Sequence, residues 1–311
     1  MKTVFITRRL PSIAEEILSK HFKVTTNKKN KSISSEQLLD AVSKYDAILS
    51  TVSDKFTADV IAQKKNLQVI SNYAVGLNNI DVLFARKNGV TVYNTPGVVT
   101  ESTADMTFAI LLSLIRKIGD ARNFVKQGKW SGWDPEIFLG EDLSGKTFGI
   151  IGFGKIGQAV AQRAAGFGLR VIYCNRSKKT PENPDLIGRV QQVELKTLLA
   201  KSDYISIHVP LLDDTKHMIN KKLIDAMKKN PIIINMARGE VVETKSLLDA
   251  LRSGRIRGAC LDVTDPEPLK GNNPLLNIKN CIVLPHIGTA TVECRRAMAK
   301  LAAENIVNHF V

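Results

Sequence analysis

The sequence predicts a parallel α/β protein of two domains, and three observations lead there. Short β-rich runs alternate with stretches of helical spacing along nearly the whole chain, the pattern that crossover helices between parallel strands produce. A glycine-rich turn, Gly152-Phe-Gly154-Lys-Ile-Gly157, follows one of the middle runs. The length of 311 residues exceeds one ordinary domain and suits two.

In the first third, strands are expected at residues 4–7, 22–25, 47–51, 68–71 and 90–93. Between the first two, Ile13, Ile17 and Leu18 carry helical spacing. A long helix is expected at about 103–117; its apolar residues are nearly continuous, so burial on most sides follows. Such helices often join two domains. Residues 127–145 are rich in Gly, Trp, Pro and Asp and read as an extended excursion. A second α/β set begins at Lys146, with strands at 147–151, 170–174, 204–208, 232–235, 259–263 and 282–284. The chain closes on a helix at about 291–308, which can return to the first domain and make it discontinuous.

Composition narrows the class. Hydrophobic residues at 44% and charged residues at 24% are ordinary for a soluble globular chain. The longest apolar run, residues 108–115, is far too short to span a bilayer, so no membrane partner is expected. The four cysteines form no CxxC pair, and the apolar part of the N-terminus is too short for a leader. A cytoplasmic protein with reduced thiols and no metal site is expected. The net charge of +14 could suit nucleic acid. The lysines are scattered and not interleaved with aromatics, so a basic enzyme surface handling anions is the preferred reading.

The glycine turn sits between a strand and a helix, residues 156–166, with the next strand in place. That is the Rossmann dinucleotide-binding arrangement. Gly152 permits the tight turn, Gly154 lets the backbone approach a pyrophosphate, and Gly157 lets helix pack on strand. The helix N-terminus then offers free N–H groups and partial positive charge.

Cofactor choice is read at the end of the following strand. NAD sites place an Asp or Glu there for the ribose 2′-OH; this chain has Asn175-Arg176-Ser177, then Lys178. Asn175 does not repel a phosphate, Arg176 can stack on adenine or fork onto a 2′-phosphate, and Ser177 can donate to it. NADP is therefore preferred, with NAD as the alternative.

Three more segments carry polar residues where strands end: Asn235-Met-Ala-Arg238-Gly239, Asp262-Val-Thr-Asp265-Pro-Glu267-Pro268 and Leu284-Pro-His286-Ile-Gly288. Ligands bind outside the carboxyl ends of strands in open α/β sheets, so these loops can converge. Arg238 offers a fork for a carboxylate. His286 can give a proton to a carbonyl oxygen that gains charge from a hydride. Glu267 beside it favours the imidazolium. His21, His208, His217 and His309 read as ordinary structural histidines.

The order of glycine loop, Arg, Glu and His, together with Asn72-Tyr-Ala-Val-Gly-Leu-Asn-Asn-Ile-Asp81, Asn94-Thr-Pro-Gly97 and Leu261-Asp-Val, resembles the D-2-hydroxyacid dehydrogenase family along nearly the whole chain. The resemblance implies a Rossmann-type doubly wound cofactor domain, residues 99–286. It lies inside a flavodoxin-like, discontinuous substrate domain, residues 1–98 and 287–311. It implies Arg238, Glu267 and His286 as catalytic residues, and Val75 and Gly76 as amide donors to the substrate carboxylate opposite Arg238. Cofactor contacts are implied at Phe153, Lys155 and Ile156 beside the glycines, at His208, Val209, Pro210 and Thr215, and at Met236, Ala237, Arg238, Asp262, His286 and Gly288. Asn175 departs from the NAD-using majority.

Trp130-Ser-Gly-Trp133-Asp-Pro135 and Asn175-Arg-Ser177 are similar to the glyoxylate/hydroxypyruvate reductase branch. NADPH-dependent reduction of a small 2-keto acid is expected. The alternatives are an NAD-dependent enzyme for 3-phosphoglycerate or D-lactate, or a cofactor-sensing binding protein of this fold. The long helix and residues 130–139 carry more apolar surface than one domain covers, which predicts a two-fold dimer with Trp133 near the partner's cleft. The competing expectation buries both tryptophans within one chain.

Overall fold

A strand forms at every stretch where one was expected, and all of the strands pair in parallel. The computed structural model describes residues 1–228 and 230–311; Lys229, one of the scattered lysines, lies outside the described residues. The chain divides into two units, residues 1–99 with 289–311, and residues 100–288.

In the first unit the strands are β1 (Thr3–Ile6), β2 (Lys23–Thr26), β3 (Ala47–Ser50), β4 (Val69–Asn72) and β5 (Thr91–Tyr93), in the order β2-β1-β3-β4-β5. This is the flavodoxin-like order. β3 and β4 are buried along their whole length, so neither shows the alternation of a strand with one face in water. Ile48 and Ile70 pack with Phe56, Ile61 and Leu67 under the helices Ser35–Lys44 and Ala58–Ala62. The chain's last helix, Val292–Phe310, covers this sheet as well: the Ser71 hydroxyl donates to the Ala302 carbonyl at 2.8 Å, and Phe22 meets Phe310 edge-on at 5.7 Å.

In the second unit the strands are β6 (Thr147–Ile151), β7 (Arg170–Cys174), β8 (Val190–Gln192), β9 (Tyr204–Ile207), β10 (Ile232–Asn235), β11 (Gly258–Leu261) and β12 (Cys281–Val283). Their order, β12-β11-β10-β9-β6-β7-β8, is the Rossmann order with one further strand. It reverses between β6 and β9, and ligands bind at such switch points. β8 has no sequence signal because its three residues at a sheet edge, none of them buried, are too few to show a period.

The long helix runs Thr100–Ile115, one turn earlier than expected at its start. It ends where Lys117 enters the left-handed region at φ 51°. Phe108 on its inner face stacks on Phe148 and Phe167 at 5.4 and 5.0 Å. A second helix, Ile118–Lys126, follows without a buried residue; the sequence reading had not separated it. Among the described residues no helix is long and apolar enough to cross a membrane.

Candidate active site

β6 ends at Ile151, and Gly152 turns the chain at φ 94°. The His208 amide donates to the Ile151 carbonyl at 2.8 Å, which brings the end of β9 against the turn. A Cβ on Gly152 would lie 2.6 Å from the His208 carbonyl oxygen, and one on Gly157 would collide with the Gly152 carbonyl. The first and third glycines therefore serve close packing. Gly154 is the N-cap of the helix Lys155–Gly166, and a Cβ there would enter open space. A side chain would fill this cradle, so the residues present fit a pyrophosphate bound by backbone amides. Lys155 is exposed and Ile156 half-buried in the first turn. The Phe153 ring is buried and stacked on Tyr173 at 3.7 Å, so its part near the cradle falls to its backbone.

Asn175 ties the turn after β7 to the cradle. Its Oδ1 accepts from the Phe153 amide at 3.2 Å, and its Nδ2 donates to the Ser177 carbonyl at 3.1 Å and to the Ser177 hydroxyl at 3.3 Å. Gln192, on the unforeseen strand β8, donates to the carbonyls of Asn175 and Ser177 at 3.4 and 3.2 Å. Arg176 reaches the other way and pairs with Asp214 at 3.2 Å.

After β9, the His208 ring meets the Ser206 hydroxyl through Nε2 at 2.7 Å. Burial pushes its pKa down to about 3, so the ring is neutral, and its buried Nδ1 has no hydrogen-bond partner among the described residues. Val209 is half-buried and Pro210 exposed. The Thr215 hydroxyl donates to the Pro210 carbonyl at 2.6 Å and accepts from the Leu212 amide at 2.8 Å. Its proton is thus spent fastening this loop.

The catalytic candidates come from three loops at the ends of β10, β11 and β12. The buried Asn235 side chain folds the first: Nδ2 donates to the Arg238 carbonyl at 2.8 Å and Oδ1 accepts from the Ala237 amide at 3.0 Å. Met236 and Ala237 are buried in this turn, and half-buried Arg238 projects from it. Burial pulls the Arg238 guanidinium below its usual pKa, opposed by the charges of Glu267 and Glu240. A Cβ on Gly239 would collide with the Thr264 carbonyl. The loop carrying Arg238 therefore packs backbone to backbone on the loop leading to Glu267.

Glu267 Oε1 lies 2.7 Å from His286 Nδ1, and Glu267 Oε2 accepts from the Thr264 amide at 3.4 Å. Burial pushes the carboxyl up. The His286 hydrogen bond and charge, the Thr264 amide and the Arg238 charge outweigh this and bring it below its usual value. His286 sits at φ 55°, a conformation that surrounding structure must hold for a non-glycine residue. Asp262 supplies that hold. Its carbonyl accepts from the His286 amide at 3.0 Å, and its buried carboxylate accepts from the Ile287 and Gly288 amides at 2.7 and 2.8 Å. A Cβ on Gly288 would lie 2.8 Å from the same carboxylate.

Val75 and Gly76 belong to the first unit, just past β4. The Asn94 side chain donates to the Val75 carbonyl at 2.8 Å and Asn72 to the Gly76 carbonyl at 3.0 Å, and Val75 is exposed. Trp133 is 86% exposed and Trp130 63%. The expectation that the chain buries both tryptophans is overturned: both rings stand in solvent, while Phe138 of the same excursion meets Phe124 edge-on at 5.4 Å and Leu143 is buried. Asn235, Gln192 and Asp214 were missed as site residues; only Asn235 had a signal, a polar residue ending an all-apolar strand. Among the described residues no group of three or more His, Cys, Asp or Glu could hold a metal ion.

Residues 108–288 match the family described as D-isomer specific 2-hydroxyacid dehydrogenase, NAD binding domain. The chain is 46% identical over 308 residues to a glyoxylate reductase of Thermococcus litoralis, covering 98% of this chain and 92% of that one. The TT0316 protein from Thermus thermophilus superposes with a TM-score of 0.90 at 39% identity, covering 98% of this chain and 96% of that one. A glyoxylate reductase from Paecilomyes thermophila gives 0.87 at 30% identity, covering 99% and 94%.

Proposed function

Because the chain belongs to the D-isomer specific 2-hydroxyacid dehydrogenase family and is an NAD(P)-dependent oxidoreductase, we propose that it reduces glyoxylate to glycolate and hydroxypyruvate to D-glycerate, with NADPH as the preferred cofactor. The observation that carries the chemistry is the 2.7 Å contact between His286 Nδ1 and Glu267. It leaves the Nε2 side of the ring to face a substrate. The substrate class rests on the glyoxylate reductases to which the chain is similar. The cofactor preference rests on Asn175, Arg176 and Ser177 in place of an acidic residue.

The open backbone at Gly154 and the first turn of the helix Lys155–Gly166 would hold the pyrophosphate. The turn Asn175–Ser177 would hold the 2′-phosphate, and the segments of Met236, Ala237 and Asp262 would line the nicotinamide. When bound, the nicotinamide group supplies a hydride to the keto carbon. Arg238 grips the substrate carboxylate in a charge-assisted fork. His286 gives its Nε2 proton to the carbonyl oxygen as that oxygen gains charge. Glu267 holds the ring oriented through its contact with Nδ1. In the first unit, the Val75–Gly76 turn is proposed as substrate-contacting, with Asn72 and Asn94 as its braces.

The exposed apolar side chains of Ile118, Val125, Trp130, Trp133 and Leu139 support a two-fold dimer. The four cysteines, none in a disulfide, suit a cytoplasmic setting. The test of the activity is the NADPH absorbance band after glyoxylate is added. A steady fall supports a reductase; a static shift on binding, with no turnover across a panel of keto acids, overturns it in favour of a cofactor-binding protein.

A further inference from the structure

The turn after β7 and the loop after β9 stand on opposite sides of β6 in the sheet. The glycine cradle follows β6 and therefore lies between them. One ion pair spans the gap: Arg176 of the first loop meets Asp214 of the second at 3.2 Å. The pair joins residues 38 apart in sequence, and both side chains are exposed, at 75% and 56%. Neither belongs to the packing of the fold. Asn175 and Gln192 already hold the turn by backbone and amide hydrogen bonds, so the turn does not depend on the pair for its shape.

We propose that Asp214 is a specificity residue, an acidic strap that competes with the 2′-phosphate for Arg176 and thereby limits how strongly the enzyme prefers NADPH over NADH. This deepens the NADPH reading above and rests on it. Arg176 can satisfy its guanidinium with Asp214 or with a phosphate. An exposed carboxylate partner is weakly held, whereas a phosphate with nearly two negative charges and a bidentate geometry is held more strongly. A dinucleotide bearing the phosphate displaces Asp214 from Arg176 and leaves that carboxylate near a second anion. A dinucleotide without it gives Arg176 no reason to leave. The acid therefore weakens NADPH binding and leaves NADH binding almost untouched.

The test is cofactor binding measured directly, by fluorescence titration of the intact enzyme with NADPH and with NADH, in wild type, Asp214→Asn and Asp214→Glu. Removing a weak exposed pair and a like-charge repulsion of similar size is expected to tighten NADPH about three- to tenfold at low ionic strength. NADH should change by less than about twofold. Asp214→Glu, which keeps the charge, should retain the wild-type ratio. The gain should shrink towards one near 1 M salt, where the screening length is about 3 Å. In an Arg176→Ala background the Asp214→Asn gain should fall by more than half.

Unchanged or weaker NADPH binding in Asp214→Asn overturns the proposal, as does an equal gain with both cofactors. The two readings fail separately. A wild-type enzyme that binds NADH as well as NADPH sinks the cofactor preference, while a ratio that still rises in Asp214→Asn sustains the strap. A wild-type preference for NADPH that Asp214→Asn leaves untouched sinks the strap alone.

Discussion

The Asp262 carboxylate accepts the Gly288 amide at 2.8 Å and the neighbouring Ile287 amide at 2.7 Å, which anchors the backbone just after His286 to the end of β11. His286 is thus placed by a buried acid on one strand end and oriented by Glu267 on the loop beyond it. Removing the acceptor should release both amides. Asp262→Ala is expected to cost about 1–3 kcal/mol for the stranded donors, read as a lower Tm. The same variant should lower kcat because the imidazole loses its position, and Asp262→Asn, which keeps an acceptor, should recover part of both losses. An Asp262→Ala enzyme with wild-type kcat would remove this residue from the account of the site.

The Glu267 carboxyl lies below its usual pKa. A depressed carboxyl gives a contribution that is present above the unfolded value, about 4.3 for Glu, and is lost only as pH falls through the folded value. The pair with His286 should therefore persist in the ordinary acidic range of carboxylates. Glu267→Gln removes the carboxylate that holds the ring through the 2.7 Å contact at Nδ1. The loss of a hydrogen bond to a charged group corresponds to about 1.5–3 kcal/mol, so kcat for reduction should fall roughly ten- to a hundredfold. Wild-type kcat in Glu267→Gln counts against the role given to the pair.

Arg238→Lys keeps a positive charge and loses the planar fork. The loss of one charge-assisted hydrogen bond corresponds to about 1.5–3 kcal/mol, roughly ten- to a hundredfold in kcat/KM for the keto acid. Cofactor Kd should change little. Equal losses in substrate and cofactor affinity would place Arg238 on the cofactor and not on the carboxylate.

The dimer reading is checked by light scattering at micromolar concentration. The account expects twice the 34.3 kDa chain mass, and Trp133→Ser at the exposed excursion should weaken the assembly. A monomeric wild type at that concentration contradicts it.

Much of the fold was legible because β3, β6 and β10 are buried along their length and so appear as mostly apolar runs. The glycine turn was legible for a local reason: Gly152 and Gly157 meet backbone where a Cβ would go. β8 and the helix Ile118–Lys126 were not legible, since one is too short for periodicity and the other buries nothing. Within the site, the residues that end strands stood out one by one, as Arg238, Asp262 and His286 did. Their supports did not, because each joins distant stretches of chain. Asp262 reaches the Gly288 amide 26 residues on, Gln192 braces Ser177 from 15 away, and Asp214 meets Arg176 across 38. Pairings of that kind are made by strand order, which no local pattern reveals.

The central claim is that His286 gives the proton to the reduced carbonyl oxygen. It is tested most directly by single-turnover mixing of the NADPH-loaded enzyme with glyoxylate, which isolates the chemical step. His286→Ala should slow NADPH oxidation by about a hundred- to ten-thousandfold, the range of a lost general acid, while NADPH Kd stays within about twofold of wild type. A His286→Ala enzyme that oxidises NADPH at near the wild-type single-turnover rate would contradict the account, because the proton would then have to come from another group.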